Sequence, residues 1–466
     1  MAHRIFCLLE RAWLGTLSLA LLALLISLVA TETWARQDAA QTSAKEKTES
    51  SILNNNARIF DGVSNELHEG NLLIVGSKIE QISAAPITPP PQASVINAGG
   101  RALMPGLTDA HWHMTMAAST LQDLDAADPG LMYANAVAEA KDTLLRGFTT
   151  VRDMAGPTFG LKAAIDAGTI PGPRIYPSGA LVSQTAGHGD FAPAYAVPKV
   201  LGGHASHYED LGIFTLADGV PEVLGAVREQ LKKGATQIKL AASGGVISDF
   251  DPIDSVQFTP DELRAAVQAA SDWGTYVAVH VYSSEAIRRS LDAGVKSIEH
   301  GHLADEATIK LIGERGDWLS TQPFEPGDEP LSPANRAKTQ NMIGAWKRIL
   351  TWAKKYNVKV AFGTDLLFDP KGAARENLML TRFAQVYSNV ETLKIATAQN
   401  CELFALSGQR NPYKEAKLGV VQKGAWADMI LVNGDPTQNI NLIADPDRNF
   451  VVIIKNGTLY KNTLHE

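Results

Sequence analysis

The chain has 466 residues, a formal net charge of −8, and 45% apolar and 20% charged residues. That composition is globular and excludes disordered and fibrous classes. The acidic balance excludes a nucleic-acid groove, which needs a cationic surface for phosphates, and leaves small-molecule substrates as the expected partners.

In chain order, the first 35 residues place Arg4 and Arg11 ahead of an uncharged apolar run that ends in small residues. This is how a secretory signal peptide is built, with cleavage expected after Ala35 and a periplasmic or secreted destination. An uncleaved membrane anchor is the competing reading. Cys7 lies in that segment, so Cys401 alone remains afterwards and no internal disulfide is expected. Cys401 falls in a helical pattern and reads as packing. Residues 36–56 are polar and aperiodic, a flexible linker.

The fold is expected to begin at Ala57. Residues 57–103 alternate apolar and polar positions between turn signals at Asp61-Gly62 and Glu69-Gly70, and residues 414–466 repeat that texture. Each piece is too small for its own core, so the two are expected to pair into one small β-sandwich domain built from both chain ends. Between them, residues 104–413 alternate β runs with helical stretches. The runs are Leu103 to Leu107, "FTTVRD" from Phe148, "RIYPSG" from Arg174, "TQIKLAA" from Thr236, "YVAVHV" from Tyr276, "SIEHG" from Ser297, "WLSTQP" from Trp318 and "KVAFGTD" from Lys359. Eight such units predict an α/β fold, a (β/α)8 TIM barrel. A doubly wound open sheet is the runner-up, but no G-x-G-x-x-G follows the first strand.

Barrel chemistry sits at the C-terminal ends of the strands. Those ends carry His111 and His113, Asp153, Lys239, His280, His300 and Asp365. The period of two sends His111 and His113 to one face and Trp112 to the other. Two imidazoles and a carboxylate make a site suited to Zn2+, with Mn2+, Fe2+ or Co2+ as alternatives. Any one of these histidines alone would read as an ordinary buried residue; the ordered set does not. Lys239 lies on a strand buried on both faces, where an amine must neutralise or find partners. It either takes up CO2 as a carbamate beside metals or forms a structural salt bridge.

The segments "MPGLTDAHWHM", "QIKLAASGG", "VAVHVYSSEAIRRSLDAGVKSIEHG" and "FGTD" resemble the binuclear-metal amidohydrolase superfamily, whose barrel plus split sandwich fits residues 57–466. The resemblance implies His111, His113 and Asp365 on one divalent cation, His280 and His300 on a second, and carbamylated Lys239 bridging both. "TTVRDMAG", "TAGHGD", "SGGVIS" and "HVY" are similar to the imidazolonepropionase-related branch, with its prolidase-like dipeptidases, carboxypeptidases on N-acyl amino acids and ochratoxin-hydrolysing amidases. That narrower likeness implies His188 and Tyr282 in the substrate pocket and a homo-oligomer, an octamer among the options. Asp365, a ligand at a strand end, is expected to act as general base and then acid.

The activity expected is hydrolysis of an amide in an N-acyl amino acid or dipeptide, with a cyclic amidohydrolase or deaminase acting on imidazolone-like heterocycles as the alternative. A metal-free scaffold would lack ligands, and none is missing. Loop structure for His188 and plain packing for Tyr282 remain the competing readings. Asp153 reads as structural, fixing loops or orienting a metal-bound histidine. "SGGVIS" lacks the Gly-Lys-Ser/Thr ending of a phosphate loop. The acidic loop "SDFDPIDS" either caps the site or is solvated.

Overall fold

The computed structural model describes residues 50–323, 325, 333–340 and 342–464. The expected signal peptide, residues 1–35, and residues 36–49 lie outside them. Residues 51–56, expected as linker, are instead part of a strand, Ser51–Ile59, with Ile52 and Leu53 buried. The polar run Asn54-Asn55-Asn56 hides this strand from a composition reading. Its backbone is paired on both sides, Leu53 opposite Leu73 and Val95.

The chain ends form one eight-stranded sheet. Its order is Thr458–Asn462, Phe450–Lys455, Met429–Val432, Ala102–Pro105, Ser51–Ile59, His68–Val75 and Lys78–Ser83, with Ser94–Asn97 also on Ser51–Ile59. The far edge folds back: Ile79 N donates to Ala425 O at 3.0 Å and Gly424 N donates to Ile79 O at 2.7 Å. The strands thereby wrap an aliphatic core that includes Leu72, Ile74, Leu103, Met429, Leu431 and Ile454, which makes the sandwich. Glu69-Gly70, expected as a turn, lies inside His68–Val75. The hairpin turn is Gly76-Ser77, between the paired Val75 and Lys78.

The first barrel strand is Leu107–Trp112, not Leu103 to Leu107. Ala102–Pro105 belongs to the terminal sheet, parallel to Ser51–Ile59 and antiparallel to Met429–Val432. Gly106 separates them, and a Cβ there would lie 2.1 Å from Thr149 Oγ1, so only glycine lets the chain pass this close to the second strand.

The remaining barrel strands are Phe148–Asp153, Arg174–Pro177, Ile238–Ala241, Val277–Ser283, Ser297–Leu303, Trp318–Thr321 and Lys359–Phe362. The third bends at Gly179, φ 73°, and resumes as Leu181–Ser183, which pairs with Ile238–Ala241. All these pairings are parallel.

Strands eight and one meet mainly through side chains. Asn400 Nδ2 donates to Thr108 O and Phe362 O, Thr364 Oγ1 donates to Asp109 Oδ2, and Asp365 N donates to His111 O at 2.8 Å. The fold is thus a (β/α)8 barrel. Trp112 is fully buried in the layer of apolar residues around the strands, and Cys401 packs half-buried beneath Gly419. No helix among the described residues is long and apolar enough to cross a membrane.

Candidate metal-dependent active site

The period of two on Leu107–Trp112 turns Asp109, His111 and His113 toward the barrel axis. His111 Nε2 lies 3.0 Å from Lys239 Nζ and 3.4 Å from Asp365 Oδ1, and His113 Nε2 lies 2.9 Å from that same oxygen. His280 Nδ1 is 2.8 Å from His300 Nε2, and His300 Nδ1 is 3.7 Å from Asp365 Oδ2. Ligand atoms of His111, His300 and Asp365 all fall within 4.8 Å of one another. The six residues expected as ligands therefore converge at one end of the barrel, in a cavity of about 390 Å³ that His188 and Tyr282 also line.

The protonation states suit metal binding. Burial pushes His111 and His280 well below the ordinary imidazole range and His300 to about 3, leaving neutral rings with lone pairs. Burial lowers the Lys239 amine to about 8. Burial alone would raise Asp365, but the adjacent His111 ring, the His113 hydrogen bond and the His300 ring overcome it and hold its carboxyl below the usual carboxylate range. Neutral nitrogens, one carboxylate and a buried amine form a donor set that fits divalent cations.

Beneath this layer lies a support the sequence did not disclose. Glu299 Oε2 accepts from His111 Nδ1 at 2.9 Å, which fixes the ring proton there and turns Nε2 into the cavity. Glu299 is itself gripped by Arg152 Nη2, 2.8 Å from each carboxylate oxygen, and Arg152 Nε donates to Ala110 O. Both side chains are fully buried. Glu299 and His300 are consecutive, so a regular strand would point one outward. His300 instead takes φ 71°, and the register slips between Val281 and Ser283, so both face inward. Asp365 is left-handed too, at φ 57°. Gln322, also unforeseen, donates to Asp365 Oδ2 at 3.1 Å and lies against His300 Nδ1.

Residues 102–460 match the model of the Amidohydrolase family. The chain belongs to that family. It is 34% identical to the ochratoxinase of Aspergillus niger over 375 residues, 77% of this chain and 75% of that protein. The crystal structure of a prolidase complexed with N-methylphosphonate-L-proline superposes with a TM-score of 0.81 at 32% identity, covering 89% of this chain and all of that one. A Xaa-Pro dipeptidase with bound methionine in its active site gives 0.76 at 28% identity, again over 89% and 100%. This amidohydrolase is a hydrolase of carbon–nitrogen bonds, and its relatives place amide bonds among its targets.

Other residues of this amidohydrolase surround the ligand layer. The His188 ring stacks on His280 at 4.0 Å between centroids, and its Nδ1 lies 2.8 Å from Ser248 Oγ and 3.4 Å from Asp251 Oδ2. Asp251 is the buried member of the acidic loop. Burial alone would raise its carboxyl, yet hydrogen bonds from His188, Ser248 and Gly245 N lower it. The loop therefore orients His188 rather than standing in solvent, while its exposed neighbour Asp249 faces the cavity.

Gly245 of "SGGVIS" serves the same contact, since a Cβ there would lie 1.9 Å from His188 Nδ1, while a Cβ on Gly244 would lie 2.0 Å from Pro252 O of the acidic loop. The Tyr282 ring is buried 4.9 Å from His280 and 5.2 Å from His300. Asp153 lies below the cavity and takes Met114 N at 2.7 Å and Thr158 Oγ1 at 3.3 Å. It fixes loops, and the carboxylate on a candidate ligand histidine is Glu299.

Proposed function

We propose that this chain is an exported metallo-hydrolase that cleaves the amide of an N-acyl amino acid or dipeptide and releases the C-terminal amino acid. Ochratoxin-type amides fall within this class. In this reading His111, His113 and Asp365 hold one divalent cation, His280 and His300 a second, both Zn2+, and Lys239 bridges them as a carbamate. The carbamate forms when the Lys239 nitrogen adds to CO2 and loses a proton, giving an anion where a buried cation would be costly. The observation that carries the proposal is the convergence of these six residues in one cavity. It is supported by similarity over most of the chain to an ochratoxinase, a prolidase and a Xaa-Pro dipeptidase. We propose further that the exported protein is a homo-oligomer, an octamer among the options.

When bound, divalent cations supply Lewis acidity and a nucleophile from water at neutral pH. Asp365, held ionised by its histidine neighbours, takes the proton from the attacking water and returns it to the leaving amine as the C–N bond breaks. His188, fixed by Ser248 and Asp251, donates to the carbonyl oxygen as charge develops there. The Tyr282 hydroxyl donates to the substrate carboxylate and sets its register. Glu299 and Arg152 keep His111 in one tautomer throughout.

The test is a screen of purified protein, with metal content measured, against N-acyl amino acids, dipeptides and an imidazolone, read by released amine or ring opening. Release of a C-terminal amino acid from at least one N-acyl series is expected. Two cations per chain with no amide turned over, or turnover of the imidazolone alone, would overturn the proposal.

A further inference from the structure

We propose that Lys338 is a positioning residue: from the segment after strand seven it holds the acidic loop after strand four against His188, and through Asp251 and Ser248 it sets where that ring points. The inference rests on the hydrolase reading above, in which His188 donates to the carbonyl oxygen, and it adds the element that aims the donor.

The acidic loop is closed at its base by the bridge between Ser243 and Val256 and by Gln257 N, which donates to Ala242 O at 2.9 Å. Above that base, four of its carbonyls are met by side chains from across the barrel mouth. The helix Pro333–Thr339, in the segment after strand seven, carries Asn335 and Lys338 three residues apart and so on one face. Lys338 Nζ donates to Ser248 O, to Gly245 O at 3.2 Å and to Asp251 O at 3.3 Å. Asn335 Nδ2 lies 3.4 Å from Ile247 O and 3.3 Å from Asp249 Oδ1. An ammonium has three hydrogens, and here all three are committed to the loop. None is left for a substrate carboxylate.

The same ammonium supplies a charge that the loop needs. Asp251 is fully buried; its Oδ2 accepts from Gly245 N at 2.6 Å and lies 3.4 Å from His188 Nδ1. Its Oδ1 accepts no hydrogen bond among the described residues, and Lys338 Nζ stands 3.6 Å from it. A buried carboxylate that loses its counter-charge is costly, so removal of Lys338 drives Asp251 toward water. Ser248, whose carbonyl Lys338 holds, places its hydroxyl 2.8 Å from His188 Nδ1. One amine thus fixes both partners of the ring. Met342, further along the same segment, packs in one cluster with Val246 of the loop and with Tyr282. That apolar contact survives the loss of Lys338, so the change is one of aim rather than of folding.

The test uses the metal-loaded enzyme carrying Lys338→Met, His188→Ala or both. The first readout is a crystal structure of Lys338→Met. His188 should leave its Ser248 and Asp251 contacts while His111, His280 and Asp365 stay in place. A ring still held by both partners would overturn the proposal, whether or not any amide is turned over.

The second readout is kinetic, on the N-acyl amino acids and dipeptides of the screen above. Lys338→Met should lower kcat about tenfold to hundredfold with KM little changed and metal content intact, the size expected for a displaced positioned group. Lys338→Arg, which keeps the charge but not the point-like donor, should show the same split at smaller size. In the His188→Ala background Lys338→Met should cost nothing further, because the amine acts only through that ring. An equal loss in both backgrounds would overturn the proposal and make Lys338 a residue that only holds the fold. A rise in KM that disappears with a substrate carboxamide would overturn it too, in favour of a direct carboxylate contact. Absence of turnover in every series would overturn the hydrolase reading, and the crystal structure would still decide whether Lys338 holds His188.

Discussion

The terminal sheet and the barrel mouth are both buried, yet they enclose opposite chemistry. The sheet surrounds Leu72, Ile74, Met429, Leu431, Val452 and Ile454. The mouth surrounds the four candidate ligand histidines, Lys239 and Asp365 above a fully buried Arg152–Glu299 pair, with His300 and Asp365 in left-handed conformations. Apolar burial stabilises by about 25 cal/mol per Å². Burying ionisable groups and holding His300 and Asp365 at positive φ costs stability. The aliphatic sheet and the apolar layer around the strands offset what the mouth gives up, so the two regions should respond oppositely when polar groups are removed.

The largest effect is expected at Lys239. Replacement by alanine removes a cavity-lining amine 3.0 Å from His111 Nε2. It should lower kcat/KM by more than the roughly 10–100-fold carried by residues behind a ligand. Metal content per chain should fall, and short carboxylic acids such as propionate should restore part of the activity by standing in for the carbamate. Retention of full activity and metal would show that Lys239 is only a structural cation.

Glu299 comes next. Glu299→Gln keeps the shape but leaves Arg152 buried without a counter-charge, so stability should fall by about 3 kcal/mol. Metal affinity, read by competition with a chelator, should drop about 10–100-fold as His111 loses its fixed tautomer. The double change Arg152→Met with Glu299→Leu sharpens the contrast: it should recover stability, as the terminal sheet would, without recovering metal affinity. Recovery of both would mean that the pair only packs.

A smaller loss is expected from Gly245→Ala. Its Cβ would lie 1.9 Å from His188 Nδ1, so the ring must move while the ligand layer stays in place. We expect about a tenfold to hundredfold fall in kcat/KM at unchanged metal content, since misplacing a positioned group by an ångström costs on that order. An unchanged rate would remove His188 from the mechanism.

What was legible in the sequence follows the same division. The His111-x-His113 pair was readable because a strand has a period of two, and His280, His300 and Asp365 because they end β runs in barrel order. Glu299 was not, since alternation points it away from His300 and only the left-handed turn at His300 brings both inward. The cavity-lining rings Phe191, Tyr208 and Phe214 were equally hidden, because they lie on a loop, a four-residue helix and a three-residue strand, too short for a period to read. Gly106 misplaced the first strand because apolar residues continue on both sides of it. The boundary lies in a close backbone approach that no periodicity records.

The smallest expected effect probes the sheet at a point where it departs from its apolar rule. Lys455 ends the strand Phe450–Lys455 and is 4% exposed. Burial lowers its amine to about 8; Asp428 and Asp166 oppose that shift, whereas Arg174 and Lys162 add to it. Below pH 8 the folded chain therefore carries a charged lysine at its full cost. Between pH 8 and the unfolded value near 10.5 the unfolded chain binds more protons, so stability contributed by this residue rises with pH. Lys455→Met should stabilise the protein by about 1–3 kcal/mol at pH 7, with the gain shrinking as the pH passes 8 toward 10. Urea unfolding at pH 7 and pH 9.5 measures both. A gain that stays constant across that range would mean the methionine acts by packing alone, whereas a pH-dependent gain marks Lys455 as a charge the sheet is better without.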